Sequence, residues 1–384
     1  MNKNEISEIK KQFTPSNSVI TRICGCYVGA DENGHDIRFT SKTAFNSLGE
    51  DEAFKYYDIF KHTLSGSLGK NLLNMEFPID EENEGGRQEF LLRLRDSELK
   101  DDALIEEFYR NIIESYVYEG NYYIILIHAL YDIPGVASDG IEMNDASDMV
   151  YSYLICSICP VNLSKPGLSY DAKNNAISER IRDWVVLSPA NGFLFPAFND
   201  RNCDIHSLLY YSKNPEELQT AFIENILGTA VPLSAKSQKE SFNSIIESAF
   251  GDECDFETIK SIHENLNELI EENKDEPEPV MLDADEVGKI FEKCGIPDDK
   301  LERLTKETAE CISKETPFVA SNIAPARKLD IKMPDVEIKV SPDRTDLIES
   351  MVIDGRQCLV IKVTDRILVN GLSVTAGKGT SNEE

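Results

Sequence analysis

Residues 121–133 read NYYIILIHALYDI, and they contain the longest apolar stretch of the chain. A second run, residues 151–161, reads YSYLICSICPV. Both runs are rich in the aromatic and β-branched residues that favour strands. Neither approaches the roughly 20 apolar residues that a membrane-spanning helix needs. We therefore predict two strands here and no insertion into a membrane.

Three further runs of the same character follow, at residues 183–187, 192–198 and 205–211. Clusters of Gly, Pro, Asn and Asp separate all five runs. Strands this closely spaced, with few helices between them, favour antiparallel pairing over β-α-β units. The predicted fold class is α+β: an antiparallel sheet with helices in the N-terminal domain, a helical middle segment and a small C-terminal region of helix and β-hairpins.

Apolar periodicity and turn residues divide the chain into segments. We predict an α+β core domain at residues 1–213 and a helical segment at residues 214–275 that packs on the core or extends it. An acidic linker that contains proline follows at residues 276–282. Residues 283–375 are predicted to form a small domain of helix and β-hairpins, and residues 376–384 a disordered tail.

Two dipeptides in the C-terminal region have the sequence of hairpin turns. Asp354-Gly355 and Asn370-Gly371 each supply residues that tolerate a positive φ, which the two-residue turns of hairpins require. We expect each dipeptide to join two short antiparallel strands. Trp184, the single tryptophan of the chain, lies in a predicted strand, where we expect it to anchor the core.

The charge of the chain limits its partners. It carries 69 acidic and 39 basic residues, so its net charge is −30. Such a surface repels the phosphate backbone, and no stripe rich in Lys and Arg offsets that, so we expect no direct binding to nucleic acid. The acidity either keeps the protein soluble or docks it on a basic assembly such as the ribosome. Because the N-terminal residues lack a signal-peptide pattern, we expect a cytoplasmic protein.

The nine cysteines admit two interpretations. In a reducing cytoplasm they are free thiols that pack as small apolar side chains. Alternatively, Cys24, Cys26, Cys156 and Cys159 hold a structural zinc ion, because four thiolates can complete a tetrahedral site. Cys156 and Cys159 lie within a predicted strand, however, where residues three apart point to opposite faces. We therefore expect no cofactor, with zinc as the alternative.

One polar cluster could carry acid–base or metal chemistry. Residues 199–206 link two apolar strands, and His128 with Asp132 lies on another predicted strand. Two histidines and nearby carboxylates could bind a divalent metal and activate water. The alternative is that these polar side chains serve turns and hydrogen bonds within the sheet. The candidate catalytic residues are His128, Asp132, Asp200, Arg201, Asp204 and His206.

Several segments together resemble one family of uncharacterised proteins. The similarity lies in residues 6–13, 20–27, 66–77, 156–165, 191–213 and 354–358. The family is catalogued only as a domain of unknown function and comes mainly from Gram-positive anaerobes of the clostridial type. The resemblance covers nearly the whole chain. It implies a bacterial, cytoplasmic protein, and it implies no activity.

Three functions are consistent with this sequence. The leading hypothesis is a non-enzymatic binding or regulatory protein that acts through contacts with a protein partner. It rests on the acidic composition and on the modular segments behind the charged linker. The second hypothesis is a metal-dependent hydrolase centred on His128, Asp204 and His206. The third is the acidic factor that docks on a basic assembly.

Overall fold

A computed structural model describes residues 1–32, 34–136, 142–143, 149–251, 254–312, 316–324, 329–363, 367–369 and 372–374. The chain divides into two compact units, Met1–Lys236 and Ser237–Glu384. The predicted disordered tail and the Asn370-Gly371 turn lie outside the described residues.

Unit 1 is built on one antiparallel sheet. Its strands are β1 (Ile20–Asp31), β2 (Gly34–Ala44), β3 (Leu72–Glu76), β4 (Asn121–Ile133), β7 (Met149–Leu163), β10 (Trp184–Val186), β11 (Asn191–Phe195) and β14 (Ser207–Ser212). Seven of them are ordered β2-β1-β4-β7-β11-β14-β3, and the eighth, β10, pairs with the end of β7. The α+β prediction is confirmed.

The two apolar runs at residues 121–133 and 151–161 form the centre of this sheet. β4 pairs with β7 in one uninterrupted register, from Asn121↔Val161 to Ile133↔Met149. Successive side chains of a strand point to opposite faces. Leu126 therefore packs in one apolar core and Ile127 in another, on the other face of the sheet. Because both faces are covered, both faces need apolar side chains, and the run is continuous instead of alternating.

Helices cover the two faces of the sheet in unit 1. On the face of Ile127 lie α1 (Lys3–Lys11) and α2 (Glu50–Thr63), whose apolar sides contribute Ile9 and Phe60 to that core. The core on the face of Leu126 receives residues from α3, α4, α5 and a following π-helical turn. Their bounds are α3 (Arg87–Asp96), α4 (Asp102–Ser115), α5 (Thr220–Phe222) and the π turn Ile223–Leu227.

Three short hairpins complete the described part of unit 1. They pair strands that are close in sequence, and each forms a two-stranded ladder of its own. These pairs are β5 (Gly135–Val136) with β6 (Glu142–Met143), β8 (Leu168–Asp171) with β9 (Ala176–Glu179), and β12 (Ala197–Asn199) with β13 (Asn202–Asp204).

Unit 2 combines a helical core with small hairpins. Its helices are α6 (Ala235–Phe250), which begins two residues before the boundary, α7 (Phe256–Glu272), α8 (Ala284–Lys293), α9 (Asp298–Cys311) and α10 (Ala320–Ile323). Their shared core includes Leu282, so the acidic segment 276–282 lies inside this unit. The hairpins pair β15 (Met281–Leu282) with β16 (Phe318–Val319), β17 (Leu329–Met333) with β18 (Val336–Val340), β19 (Ile348–Ile353) with β20 (Arg356–Ile361), and β21 (Ile367–Val369) with β22 (Leu372–Val374).

The Asp354-Gly355 hairpin has the predicted geometry. Both turn residues have positive φ, 51° at Asp354 and 76° at Gly355, and they join β19 to β20. This is the left-handed backbone that two-residue hairpin turns require, and Asp and Gly are among the residues that adopt it at least cost.

Candidate functional site

His128 is a buried residue of the central sheet. It lies on β4, and its side chain is only 1% exposed. Its two ring nitrogens contact hydroxyls of the neighbouring strands, with Nδ1 2.7 Å from Thr21 Oγ1 and Nε2 3.0 Å from Ser152 Oγ. Burial lowers the pKa of His128 to about 4, because the charged form loses its hydration. The ring is therefore neutral at physiological pH, and both of its nitrogens have partners.

Asp204 and His206 occupy the turn between β13 and β14. β13 ends at Asp204 and β14 begins at Ser207, so the two residues lie on no common strand. Asp204 accepts hydrogen bonds from Ser207 Oγ at 2.6 Å, Asn199 Nδ2 at 2.7 Å and the His206 amide at 3.0 Å. Partial burial opposes ionisation, but these bonds outweigh it and hold the pKa of Asp204 below its usual range.

The ring of His206 is paired with a different carboxylate. Its Nδ1 lies 2.7 Å from Oε1 of Glu82, and the side chain is exposed. The hydrogen bond and the charge of Glu82 raise the pKa of His206. β7 and β11 separate β4 from β14 in the sheet. Three strand spacings of about 4.8 Å therefore place His128 and His206 about 14 Å apart across the sheet.

Asp200 and Arg201 contact the first helix. The Asp200 amide donates to Glu5 Oε1 at 2.7 Å, and Arg201 Nη2 lies 3.0 Å from Glu8 Oε1. The same Glu8 oxygen accepts a hydrogen bond from Tyr131 at 2.8 Å. Asp200 and Arg201 thus have as partners two residues, Glu5 and Glu8, that were not among the candidates from the sequence. The i,i+3 spacing of Glu5 and Glu8 on one helix face was the available signal.

The hairpin turn at this contact is strained. Asp200 and Arg201 have φ values of 50° and 55°, and they form the two-residue connection between β12 and β13. A residue other than glycine costs about 1 kcal/mol or more in this left-handed region. The contacts with α1 hold the strained turn in place. Asp132, the remaining candidate, is exposed beside a groove of about 710 Å³ that also contains Tyr131.

The four cysteines proposed for zinc lie in the two cores of unit 1. Cys24, Cys26 and Cys156 belong to the core that contains Leu126, and Cys159 belongs to the opposite core. This confirms that Cys156 and Cys159 point to opposite faces. Burial raises the pKa of Cys24, Cys26 and Cys159 to about 12 and that of Cys156 further. All four are therefore neutral thiols at physiological pH.

In the part of the chain that the structure describes, no three or more His, Cys, Asp or Glu side chains form a group that could hold a metal ion. The candidate catalytic residues instead make separate contacts: His128 within the sheet, Asp204 and His206 at one turn, and Asp200 and Arg201 against α1.

A different feature stands out on the surface of unit 1. Residues 163–187, which we call the arm, form one long hairpin. At its base Trp184 pairs with Leu163, and further out Glu179 pairs with Leu168. From Leu163 to Leu168 the chain advances five residues, and from Trp184 to Glu179 it goes back five. The β7–β10 ladder and the β8–β9 ladder therefore share one register. Backbone hydrogen bonds from Ser164 to Asp183 and from Arg180 to Gly167 bridge the residues between them.

The arm exposes apolar side chains along its whole length. Leu168 is 76% exposed, Ile181 86% and Trp184 56%. The expectation that Trp184 anchors the core is therefore wrong. Its strand, β10, pairs with the last residues of β7, where the sheet has left the part that the helices cover. The nine exposed apolar residues of the arm are Leu163, Leu168, Tyr170, Ile177, Ile181, Trp184, Val185, Val186 and Leu187.

The outer part of the arm is a two-stranded ribbon with both faces in water. β8 and β9 pair with each other and with no other strand in the described chain. Tyr170 pairs with Ile177, two residues beyond the Leu168 pair, so these three apolar side chains share one face. An isolated two-stranded hairpin is marginally stable in water, and contiguous apolar exposure of this kind is typical of interaction sites.

Local hydrogen bonds shape the tip of the arm. Asp171 accepts hydrogen bonds from the amides of Lys173 and Asn174, at 2.9 and 3.3 Å. Asn175 adopts a φ of 46°, and its Oδ1 accepts from the Tyr170 hydroxyl at 2.8 Å. The turn is therefore ordered by its own side chains. The cluster of Asp and Asn between two short apolar runs was the sequence signal for this hairpin.

Comparison with known proteins places the chain in one family. Residues 1–372 match the family described as a domain of unknown function, DUF4317. The chain belongs to this family. No curated protein and no solved structure matches it. No helix in the described part of the DUF4317 chain is both long and apolar enough to span a membrane.

Proposed function

We propose that this DUF4317 protein is a non-enzymatic binding protein that contacts a protein partner through the arm. The observation that carries the proposal is the set of nine exposed apolar side chains on the arm, whose outer part has both faces in solvent. These apolar side chains of unit 1 lie in water in the described chain, and a partner would cover them.

The energetics of burial support this proposal. Complete burial of one aliphatic or aromatic side chain of this size contributes about 1.5–3 kcal/mol. Leu168, Tyr170 and Ile177 on one face would therefore supply on the order of 5 kcal/mol before the costs of association are subtracted. Such a contact is driven by apolar area, so we expect its affinity to change little with salt. Docking of an acidic surface on a basic assembly would instead weaken steeply with salt.

The contacts of the candidate catalytic residues also favour binding over catalysis. His128 bridges neighbouring strands, Asp204 organises a turn, and Arg201 fastens a hairpin to α1. Each residue has a role in the fold that accounts for its position. These roles support a protein whose sheet is a scaffold for the arm.

We further propose a cytoplasmic protein of a Gram-positive anaerobe of the clostridial type. The resemblance described above supports this source. The cysteines support a reducing compartment, since all nine are free thiols. The net charge of −30 favours a protein partner over a nucleic acid, because the acidic surface repels phosphates.

Site-specific photocrosslinking in the native cell tests the proposed function. A benzophenone amino acid would replace Tyr170 on the arm, and the matched control would replace Ile79, which is 81% exposed elsewhere on unit 1. We expect a discrete crosslinked protein band from position 170, in at least tenfold excess over position 79. Equal, diffuse labelling from the two positions would refute the proposed function.

A further inference from the structure

The arm also indicates which partner covers it. We propose that the arm binds the arm of a second copy of this chain, so that the protein is a twofold-symmetric dimer. This inference rests on the proposed function, since it names the partner of the same surface. Its arguments are the charge of the arm, its reach and the area that it exposes.

Charge distinguishes the arm from the rest of the chain. Residues 163–187 hold four cations and three carboxylates, so the arm has a net charge of +1. Since the whole chain carries −30, the remainder carries −31. Two bodies of that charge repel each other wherever they touch. The nearly neutral arm, in contrast, can meet its copy without net repulsion. The cations are Lys165, Lys173, Arg180 and Arg182, and none of them pairs with a carboxylate among the residues that the structure describes.

The sequence of the arm suits a contact with itself. A twofold interface uses the same patch on both copies, so the patch must be self-complementary. Glu179 is adjacent to Arg180, and Arg182 is adjacent to Asp183, beside the apolar side chains of the arm. Because adjacent residues of an extended strand point to opposite faces, each of these pairs places one sign of charge on either face of the ribbon, and the arm as a whole offers both signs. Cations that have no carboxylate partner in the described part of one chain can meet carboxylates of the second arm.

The length of the arm keeps the two acidic bodies apart. Eight residues separate Leu163 at its base from Asp171 at its tip, which corresponds to about 26 Å at 3.3 Å per residue. The Debye length at physiological ionic strength is about 8 Å. Two arms that lie along each other, tip to base, therefore separate the main sheets of the two unit 1 copies by more than the range of strong repulsion.

The exposed area is sufficient for a stable dimer. The shared register places six of the nine exposed apolar residues on one face of the arm: Leu168, Tyr170, Ile177, Ile181, Val185 and Leu187. At roughly 100 Å² each they provide on the order of 600 Å² per copy. Two copies would bury about 1,200 Å² in total, which is the lower end of the range for specific interfaces. The arm alone can therefore supply the interface, with no contribution from the acidic bodies.

Sedimentation velocity on the purified full-length chain tests this inference. We expect a species of twice the 43.2 kDa of one chain at about 100 µM protein, where a micromolar interaction is saturated. Tyr170→Arg and Ile177→Arg, which change cross-strand partners on one face, should each raise the dissociation constant at least a hundredfold. Ile79→Arg, at an exposed position away from the arm, should leave it unchanged.

The outcomes separate the two proposals. Circular dichroism should show that the arm variants stay folded, because both residues are exposed. A wild-type monomer at this concentration, or a dimer that persists in both arm variants, would overturn the second-copy assignment. A crosslink in cells from position 170 to a different protein would then leave the proposed function standing. A crosslinked product of two identical chains would support both.

Discussion

Replacing His128 with glutamine should change how the stability of unit 1 depends on pH. His128 is buried and neutral, and its pKa falls from 6.5 to about 4 on folding. Because the folded-state pKa lies below the unfolded one, its contribution is complete above pH 6.5 and is lost as the pH falls towards 4. Glutamine keeps hydrogen-bonding groups for Thr21 and Ser152 but does not titrate.

The size of the effect follows from the two pKa values. At pH 5 the unfolded chain has largely taken up a proton at this residue, whereas the folded chain has not. With 1.36 kcal/mol per pKa unit, His128 lowers the free energy of unfolding by about 2 kcal/mol between pH 7.5 and pH 5. Between pH 7.5 and pH 5, the free energy of unfolding of the His128→Gln variant should therefore fall by about 2 kcal/mol less than that of the wild type. This difference does not depend on the stability of the variant at pH 7.5.

Urea unfolding at the two pH values, followed by far-ultraviolet circular dichroism, measures this difference. Carboxylates titrate in both proteins, so their contribution cancels in the comparison. His206→Gln is the matched control: Glu82 raises the pKa of His206, so its protonated form stabilises the folded state at low pH. The His206→Gln variant should therefore lose more free energy of unfolding than the wild type between pH 7.5 and pH 5. If the losses of wild type and His128→Gln agree within about 0.5 kcal/mol, the burial argument for His128 is wrong.

Three further predictions concern unit 1 and the thiols of the chain. Asp200→Gly should raise the free energy of unfolding by about 0.5–1 kcal/mol in urea titrations, because glycine adopts the left-handed turn without strain; no gain would contradict the strain. Asn191→Ala should lower it by about 2–4 kcal/mol, since the buried amide bonds the hydroxyls of Tyr116 and Tyr210; a change below about 1 kcal/mol would contradict this. In mass spectrometry after brief alkylation of the native protein, the exposed Cys254 and Cys311 should be modified. Four thiols are buried and should stay unmodified until urea is added: Cys24, Cys26, Cys156 and Cys159. Rapid modification of any of these four in the native protein would refute its burial.

Much of the sheet could be predicted from local sequence. The runs at 121–133 and 151–161 are continuous in apolar residues because both faces of β4 and β7 are covered. The Asp354-Gly355 turn was predictable because few residues tolerate a positive φ. The opposite orientation of Cys156 and Cys159 followed from the two-residue period of a strand. Each of these features depends on neighbours within a few residues.

The candidate site was less predictable, for a physical reason. His128 and His206 appeared as possible partners because both lie beside strands, but strand order decides which strands are adjacent. That order depends on pairing between distant segments, and it places β7 and β11 between them. The partners of Arg201 and Asp200 come from α1, nearly two hundred residues earlier in the sequence. The spacing of residues within a short motif does not predict contacts with such distant segments.

The sequence by itself determined an acidic α+β chain with an antiparallel sheet, because composition and apolar periodicity are local properties. Only the tertiary structure decided that residues 163–187 leave the core. An apolar run such as Trp184-Val185-Val186-Leu187 is the same in sequence whether helices cover it or water does. In this protein β7 extends beyond its helical cover, and its hairpin partner extends with it. Burial is decided by what packs on a strand, and that is a property of the whole fold.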